Sequence, residues 1–226
     1  MLMRIVAIVG GTNAESNADT LCEAFLKGCI AQGATTEKIR LRELHIDHFT
    51  LDHYKPDKAD EPDFRKIREA ILTCDGFVVA SPVWNFSVPG HLKNLIDRMG
   101  AFGLDASTRA KGMLGGKPFF LLYTGGSPAP AWKGLMRRTT SAVPIALKYF
   151  GAAYCGTHYE GRCMKGKGIF RLVVNARSDS LTTAEMRGRA FGKIVKEFAA
   201  TGQLPFKQRF MTKLYAFGQK IVRMIS

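Results

Sequence analysis

Short apolar runs alternate along this chain with stretches whose apolar residues recur every three or four positions, and the two periods predict strands and helices in turn. Arg4 to Val9 is a β-branched run fit for a buried strand, and it passes directly into Gly10-Gly11-Thr12-Asn13-Ala14-Glu15-Ser16-Asn17. Ala18 to about Gln32 then reads as a helix with Leu21, Ala24, Phe25 and Leu26 near one face, closed by Gly33. Thr36 to Leu44 predicts a second strand, His45 to Pro62 a polar loop, and Asp63 to Cys74 an amphipathic helix. Phe77-Val78-Val79-Ala80 is the third strand; it stops at Ser81-Pro82 because proline has no amide for the ladder. Pro89-Gly90 opens a helix with Leu92, Leu95, Ile96 and Met99 on one face. Ala101 to Gly116 reads as a flexible connection, and Lys117 to Tyr123 as a fourth strand running into Thr124-Gly125-Gly126-Ser127-Pro128. Ala131 to about Tyr149 is a helix that Pro144 kinks or splits, and Ala152 to Thr157 is a fifth strand. The basic, glycine-rich segment Gly161 to Gly168 carries no assignable element. Thr182 to Thr201 is the last core helix, started by Thr182/Thr183 with Glu185 in its first turn.

Strands alternating with helices predict a three-layer α/β sandwich around a five-stranded parallel sheet. The doubly wound order 2-1-3-4-5 sets strands one, three and four side by side, with the switch point between one and three. The turns after those strands then meet at one end of the sheet. The first turn offers backbone amides, a helix N-terminus and the side chains of Thr12, Asn13, Ser16, Asn17 and Thr20, with no Lys or Arg between Gly10 and Thr20. Such a loop suits a monophosphate, although the segment alone also reads as a helix cap. It has neither the GK[ST] of a P-loop nor a GxGxxG pattern. The second turn, Val83-Trp84-Asn85-Phe86-Ser87-Val88, offers aromatics to a flat ring, or else buries Trp84 and Phe86 in the core. The third offers backbone atoms. Together they describe a site for a phosphorylated flat ring.

Composition narrows the class. The 226 residues are 46% hydrophobic, enough for one α/β domain over 1–203, and no apolar run approaches the roughly 18 residues that span a bilayer. Cys22, Cys29, Cys74, Cys155 and Cys163 are odd in number and lack CxxC spacing, which fits reduced thiols in a cytoplasmic protein. His45, His48 and His53 are irregularly spaced and read as solvated loop residues rather than metal ligands. The net charge of +14 is uneven: residues 1–150 carry 19 Lys/Arg against 15 Asp/Glu, and residues 151–226 carry 14 against 4. The basic excess suits nucleic acid, an anionic membrane surface or anionic small molecules, and since no nucleic-acid motif accompanies it, nucleic acid is the weakest of these.

The same residues resemble the flavodoxin-like NADPH-dependent FMN reductase and NAD(P)H:quinone oxidoreductase superfamily. Gly10 to Asn17 is similar to its GSxRxxSN phosphate loop, and Ser81-Pro82-Val83-Trp84 with Pro89-Gly90-His91-Leu92-Lys93-Asn94-Leu95-Ile96-Asp97-Arg98 to its SPxY…GxLKNxIDR segment. Thr124-Gly125-Gly126-Ser127 resembles its third flavin loop. The resemblance, from about residue 3 to 200, implies non-covalent FMN as cofactor and NADPH or NADH as electron donor. It implies a phosphate held by the amides of Gly11, Thr12 and Asn13 with Ser16 and Asn17, and a flavin ring lined by Pro82, Val83, Trp84, Asn85 and Phe86. Thr124, Gly125, Gly126 and Ser127 would meet its pyrimidine side. Asn13 stands where many relatives carry an arginine, and no cysteine cluster follows strand two, which excludes the iron–sulfur version of the family. Asn94 and Asp97 read as braces of their helix, and Arg98 as structural or placed at a subunit contact.

The implied activity is hydride transfer from a nicotinamide through FMN to a quinone, flavin or other small acceptor by a ping-pong mechanism. No residue is needed as general acid or base, since the flavin carries the chemistry. Family members form homo-oligomers, dimers or tetramers. The alternative is a flavodoxin-type FMN electron carrier that serves protein partners without binding nicotinamide. Beyond Leu204-Pro205, residues 204–226 form a basic amphipathic helix: Phe206, Phe210, Leu214, Phe217, Ile221 and Ile225 recur at helical spacing, with Lys207, Arg209, Lys213, Lys220 and Arg223 mostly elsewhere. The stripe is expected to pack on its own domain or a second subunit, in preference to an anionic membrane surface.

Overall fold

A computed structural model describes residues 3–55, 61–166 and 169–225, with the side chains of the last helix described as far as Phe217, Lys207 excepted. Five parallel strands form one sheet in the order β2-β1-β3-β4-β5: β1 (Met3–Val9), β2 (Ala34–Arg40), β3 (Gly76–Pro82), β4 (Pro118–Thr124) and β5 (Ala153–Glu160). The helices are α1 (Asn17–Ile30), α2 (Pro62–Thr73), α3 (Gly90–Gly103), a single turn α4 (Ala129–Ala131), α5 (Ala142–Tyr149), α6 (Ser178–Thr201) and α7 (Phe206–Ile225). The expected topology is the observed one.

Alternation along the strands sorts their side chains into two cores. Val6, Ile8, Val79, Leu121 and Tyr123 face Phe64, Ile67, Leu92, Leu95 and Leu147 from α2, α3 and α5. Ile5, Ala7, Val78, Phe120 and Leu122 face Leu21, Phe25, Phe191 and Val195 from α1 and α6. On this second face the two helices touch backbone to backbone. A Cβ on Gly188 would sit 1.9 Å from the Phe25 carbonyl oxygen, and one on Gly28 would sit 2.1 Å from that of Glu185. Only glycine permits this approach.

Several boundaries move. β2 begins two residues earlier than expected and ends at Arg40, where a 3-10 turn (Leu41–Glu43) takes over and still buries Leu41. α6 starts at Ser178, four residues before the threonine pair, with no side-chain cap. The helix expected over Ala131–Tyr149 splits: α4 continues as a π turn (Trp132–Met136) and a 3-10 turn (Arg137–Thr140), and Pro144 lies in the first turn of α5, where proline is tolerated. The supposedly flexible 101–116 segment opens with the end of α3 and then folds around Asp105. Its carboxylate accepts from Thr108 N at 2.8 Å, Lys111 N at 2.6 Å and Ser107 Oγ at 2.9 Å. Of the glycine-rich Gly161–Gly168 segment, residues 167 and 168 lie outside the described residues.

The loop after β2 is clamped by α3. Asn94 accepts from Phe49 N at 2.8 Å and donates to the Asp47 carbonyl at 3.0 Å. Arg98 is fully buried, donates to Asp47 O at 2.9 Å and pairs with Glu61. A fully buried guanidinium has no surface left for a subunit contact; its charge is compensated internally.

Candidate functional site

Parallel register brings three turns to one edge of the sheet. Val9 lies opposite Ala80, and Pro82 opposite Thr124, so β1, β3 and β4 end in step. Gly10 N donates to Ala80 O at 2.7 Å, and Val83 N donates to Thr124 O at 2.7 Å, tying each turn to its neighbour. Between them opens a cleft, partly open to solvent, lined by Gly11 to Asn13, Ser16, Asn17, Pro82 to Trp84 and Thr124 to Gly126. Glu15, Ala18, Cys163, Phe170 and Arg171 complete its wall.

The first turn is an amide cradle. Among the described residues, the backbone amides from Thr12 to Ala18 have no hydrogen-bond acceptor. Ser16 caps α1, its hydroxyl oxygen accepting from Asp19 N at 3.3 Å, and its own proton stays free to donate. Gly11 is required here, because a Cβ would lie 2.5 Å from Ser16 Oγ. Behind the turn, burial holds the His91 pKa below its usual 6.5, against a hydrogen bond to the Gly10 backbone. His91 therefore supports the turn as a neutral ring.

Asn17 does something that sequence reasoning missed. Its Oδ1 accepts from Val173 N at 2.8 Å and Val174 N at 3.0 Å, and its Nδ2 donates to the Arg171 carbonyl at 2.9 Å. The side chain is spent on a strap, residues 169–174, that crosses from β5 towards α6. Held there, the strap delivers Phe170 and Arg171 to the cleft. Arg171 supplies the cation absent between Gly10 and Thr20. Nothing in its local sequence marks it beyond a lone basic residue.

The second turn is a tight hairpin. Trp84 and Ser87 exchange both backbone hydrogen bonds, at 2.8 and 2.9 Å, and Asn85 and Phe86 between them have φ of 46° and 66°. Both central residues are thus left-handed, the geometry of a type I′ turn that glycine or asparagine usually serves. Phe86 pays for it with about 1–2 kcal/mol of backbone strain while its ring is 63% exposed. Trp84 lies in the wall, edge-on to Phe170 at 4.7 Å between centroids. Its Nε1 is buried without a partner. Asn85 and Phe86 project at the rim and do not line the cleft.

The third turn is fixed from below. Gly125 N donates to Glu160 O at 3.0 Å and Cys163 N to Gly125 O at 2.9 Å. Ser127 turns away from the cleft, its Oγ 2.7 Å from the Tyr159 hydroxyl, and Tyr159 stacks on Trp132 at 4.5 Å. Cys163 touches the cleft, but burial raises its thiol pKa to about 11, so it stays protonated. Of the residues the sequence nominated, the cleft gathers Gly11, Thr12, Asn13, Ser16, Asn17, Pro82, Val83, Trp84, Thr124, Gly125 and Gly126.

An unpaired amide ring and a hydroxyl donor, with Arg171 in the same cleft wall, suit a phosphate. The apolar side chains of Pro82, Val83, Trp84 and Phe170 suit a flat heterocycle. The cleft therefore fits a phosphorylated flavin on its own chemistry.

Comparisons with known proteins agree. The profile of the NADPH-dependent FMN reductase family matches residues 3–156. An iron–sulfur flavoprotein of Archaeoglobus fulgidus is 27% identical over 149 residues, covering 63% of this chain and 66% of that protein. FMN reductase (NADPH) of Escherichia coli is 25% identical over 132 residues, covering 56% and 59%. The chain spans about half to two thirds of the length of the curated relatives it matches. A solved NAD(P)H:quinone oxidoreductase from Methanothermobacter marburgensis shares the fold at a TM-score of 0.66 and 18% identity, over 84% of this chain and 96% of that one. The cysteines here lie apart, on α1, before β3, on β5 and after it, so the iron and sulfur in the first relative's name stay with that protein.

Proposed function

Because the chain belongs to the NADPH-dependent FMN reductase family, we propose that it is an FMN-dependent NAD(P)H oxidoreductase acting on a quinone, a free flavin or another small acceptor. The observation that carries this reading is the cleft itself, whose wall gathers an amide cradle, Arg171, Trp84 and Phe170. FMN, when bound, supplies the redox chemistry, taking a hydride from reduced nicotinamide and passing reducing equivalents on.

The residues of this chain bind and orient. Amides from Thr12 to Asn17, the Ser16 hydroxyl and Arg171 hold the phosphate. At Thr124 to Gly126, where the Gly125 amide is taken by Glu160 O, the Gly126 amide offers a donor to the polar side of the ring and there favours the extra negative charge of the reduced state. Pro82, Val83 and Trp84 form the apolar wall, and Phe170 closes it. The exposed rim with Phe86 leaves one approach, so donor and acceptor take turns there, which gives ping-pong kinetics. Positive potential over the chain, +14 formally, steers the anionic nicotinamide nucleotide inward.

Anaerobic stopped-flow mixing of the FMN-loaded protein with NADPH or NADH tests the reading. The flavin absorbance bleaches within turnover time and returns on adding a quinone or free flavin, and double-reciprocal plots run parallel. No bleaching by either nucleotide overturns the reductase and leaves an electron carrier in its place.

A further inference from the structure

The last helix, α7, rests on its own domain by a polar edge. Gln208, Thr212 and Tyr215 are its half-buried positions, three and four residues apart on one side. The Tyr215 hydroxyl donates to Ile145 O at 3.4 Å, and Lys148 Nζ lies 4.4 Å over the Tyr215 ring. The apolar stripe faces elsewhere, which corrects the expectation that it packs on its own domain. Phe206, Phe210, Met211, Leu214 and Phe217 are 53% to 74% exposed, and the Phe206 and Phe210 rings stack at 6.4 Å on that outer side. The sequence carries the same register on to Ile221 and Ile225.

Charge decides what covers this face. Arg209 and Lys213 are exposed beside the stripe, Lys207, Lys220 and Arg223 belong to the same helix, and no acidic residue follows Glu197. A second copy laid face to face would set five cations against five with no carboxylate from either segment. An anionic surface meets the same cations favourably. None of the described helices is long and apolar enough to cross a membrane, so a helix of this kind lies in the plane of the head groups.

We infer that α7 docks this protein onto anionic lipid bilayers, its phenylalanines entering the head-group boundary and Arg209 and Lys213 engaging the phosphates. The inference stands independently of the redox assignment, since it uses no residue of the cleft.

Vesicle flotation of the full-length, FMN-loaded protein tests it. At 50–100 mM salt the protein floats with phosphatidylcholine vesicles containing a quarter phosphatidylglycerol and stays behind with pure phosphatidylcholine. The double variant Phe210→Ser/Phe217→Ser weakens partitioning roughly tenfold or more. Arg209→Glu/Lys213→Glu does so by roughly tenfold. Both leave the melting temperature and the flavin spectrum unchanged, since these side chains are exposed. Failure to float with the anionic vesicles, equal flotation with both compositions, or undiminished binding by the phenylalanine variant overturns the inference. So does a sedimentation-velocity dimer that the phenylalanine variant converts to monomer, which would make a second copy the occupant.

Discussion

The two parts of the proposed phosphate grip are made in opposite ways. The cradle from Gly11 to Asn17 is local: a strand stops, a helix starts, and the amides between them point at one place because of that geometry. The strap from 169 to 174 has no regular structure over most of its length and lies about 155 residues further along the chain, as the spans of its bonds to Asn17 show. Its hydrogen bonds to the cradle all come from one side chain, beside the packing of Phe170 on Trp84 and the burial of Val174. The cradle's donors are spread over several backbone amides, whereas the strap's hydrogen bonds to the cradle converge on a single asparagine, and that asymmetry can be measured.

The largest effect is expected from Asn17→Ala. It removes the bonds to Arg171, Val173 and Val174 and orphans two amides, costing about 2–3 kcal/mol of stability. FMN affinity falls with it, by roughly thirtyfold or more, as Arg171 and Phe170 are released together. Thermal unfolding and fluorescence titration read the two quantities; an unchanged Kd would show that the strap takes no part in binding.

Arg171→Ala sharpens the comparison by sparing the strap's backbone. FMN binding weakens by roughly tenfold, while riboflavin, which lacks the phosphate, binds as before. Equal losses for the two ligands would move Arg171 away from the phosphate.

The smallest effect belongs to the strained hairpin on the apolar wall. Phe86→Gly relieves a left-handed phenylalanine and raises stability by about 1 kcal/mol. FMN affinity stays level because the ring lies outside the cleft wall, while KM for nicotinamide or acceptor rises. Lower stability in this variant would mean that the exposed ring packs against something in solution.

The same asymmetry explains what could be read from the chain. The strand order and the convergence of the three turns were legible because Arg4–Val9, Phe77–Ala80 and Phe119–Tyr123 are continuous apolar runs ending at glycine or proline. The α6 start was missed because no side chain caps it, and the end of β2 because Leu41 stays buried in a turn that is no longer a strand. Asn17 has the chemistry of a phosphate ligand, and only the coordinates show its amide occupied by the strap. Arg171 carries no periodic signal at all. The outward face of α7 was hidden for another reason: an amphipathic pattern records that one face is apolar, not which way it turns.

The glycine crossing of α1 and α6 has a consequence for how the molecule matures. The helix that begins at the phosphate loop seats its backbone against Glu185 and Gly188, near the far end of the chain. During synthesis, the first third of the polypeptide therefore leaves the ribosome with its anion cradle half unsupported and waits for residues 178–201 to arrive. On the proposed function, a flavin would be gripped firmly only once residues 178–201 have packed against α1.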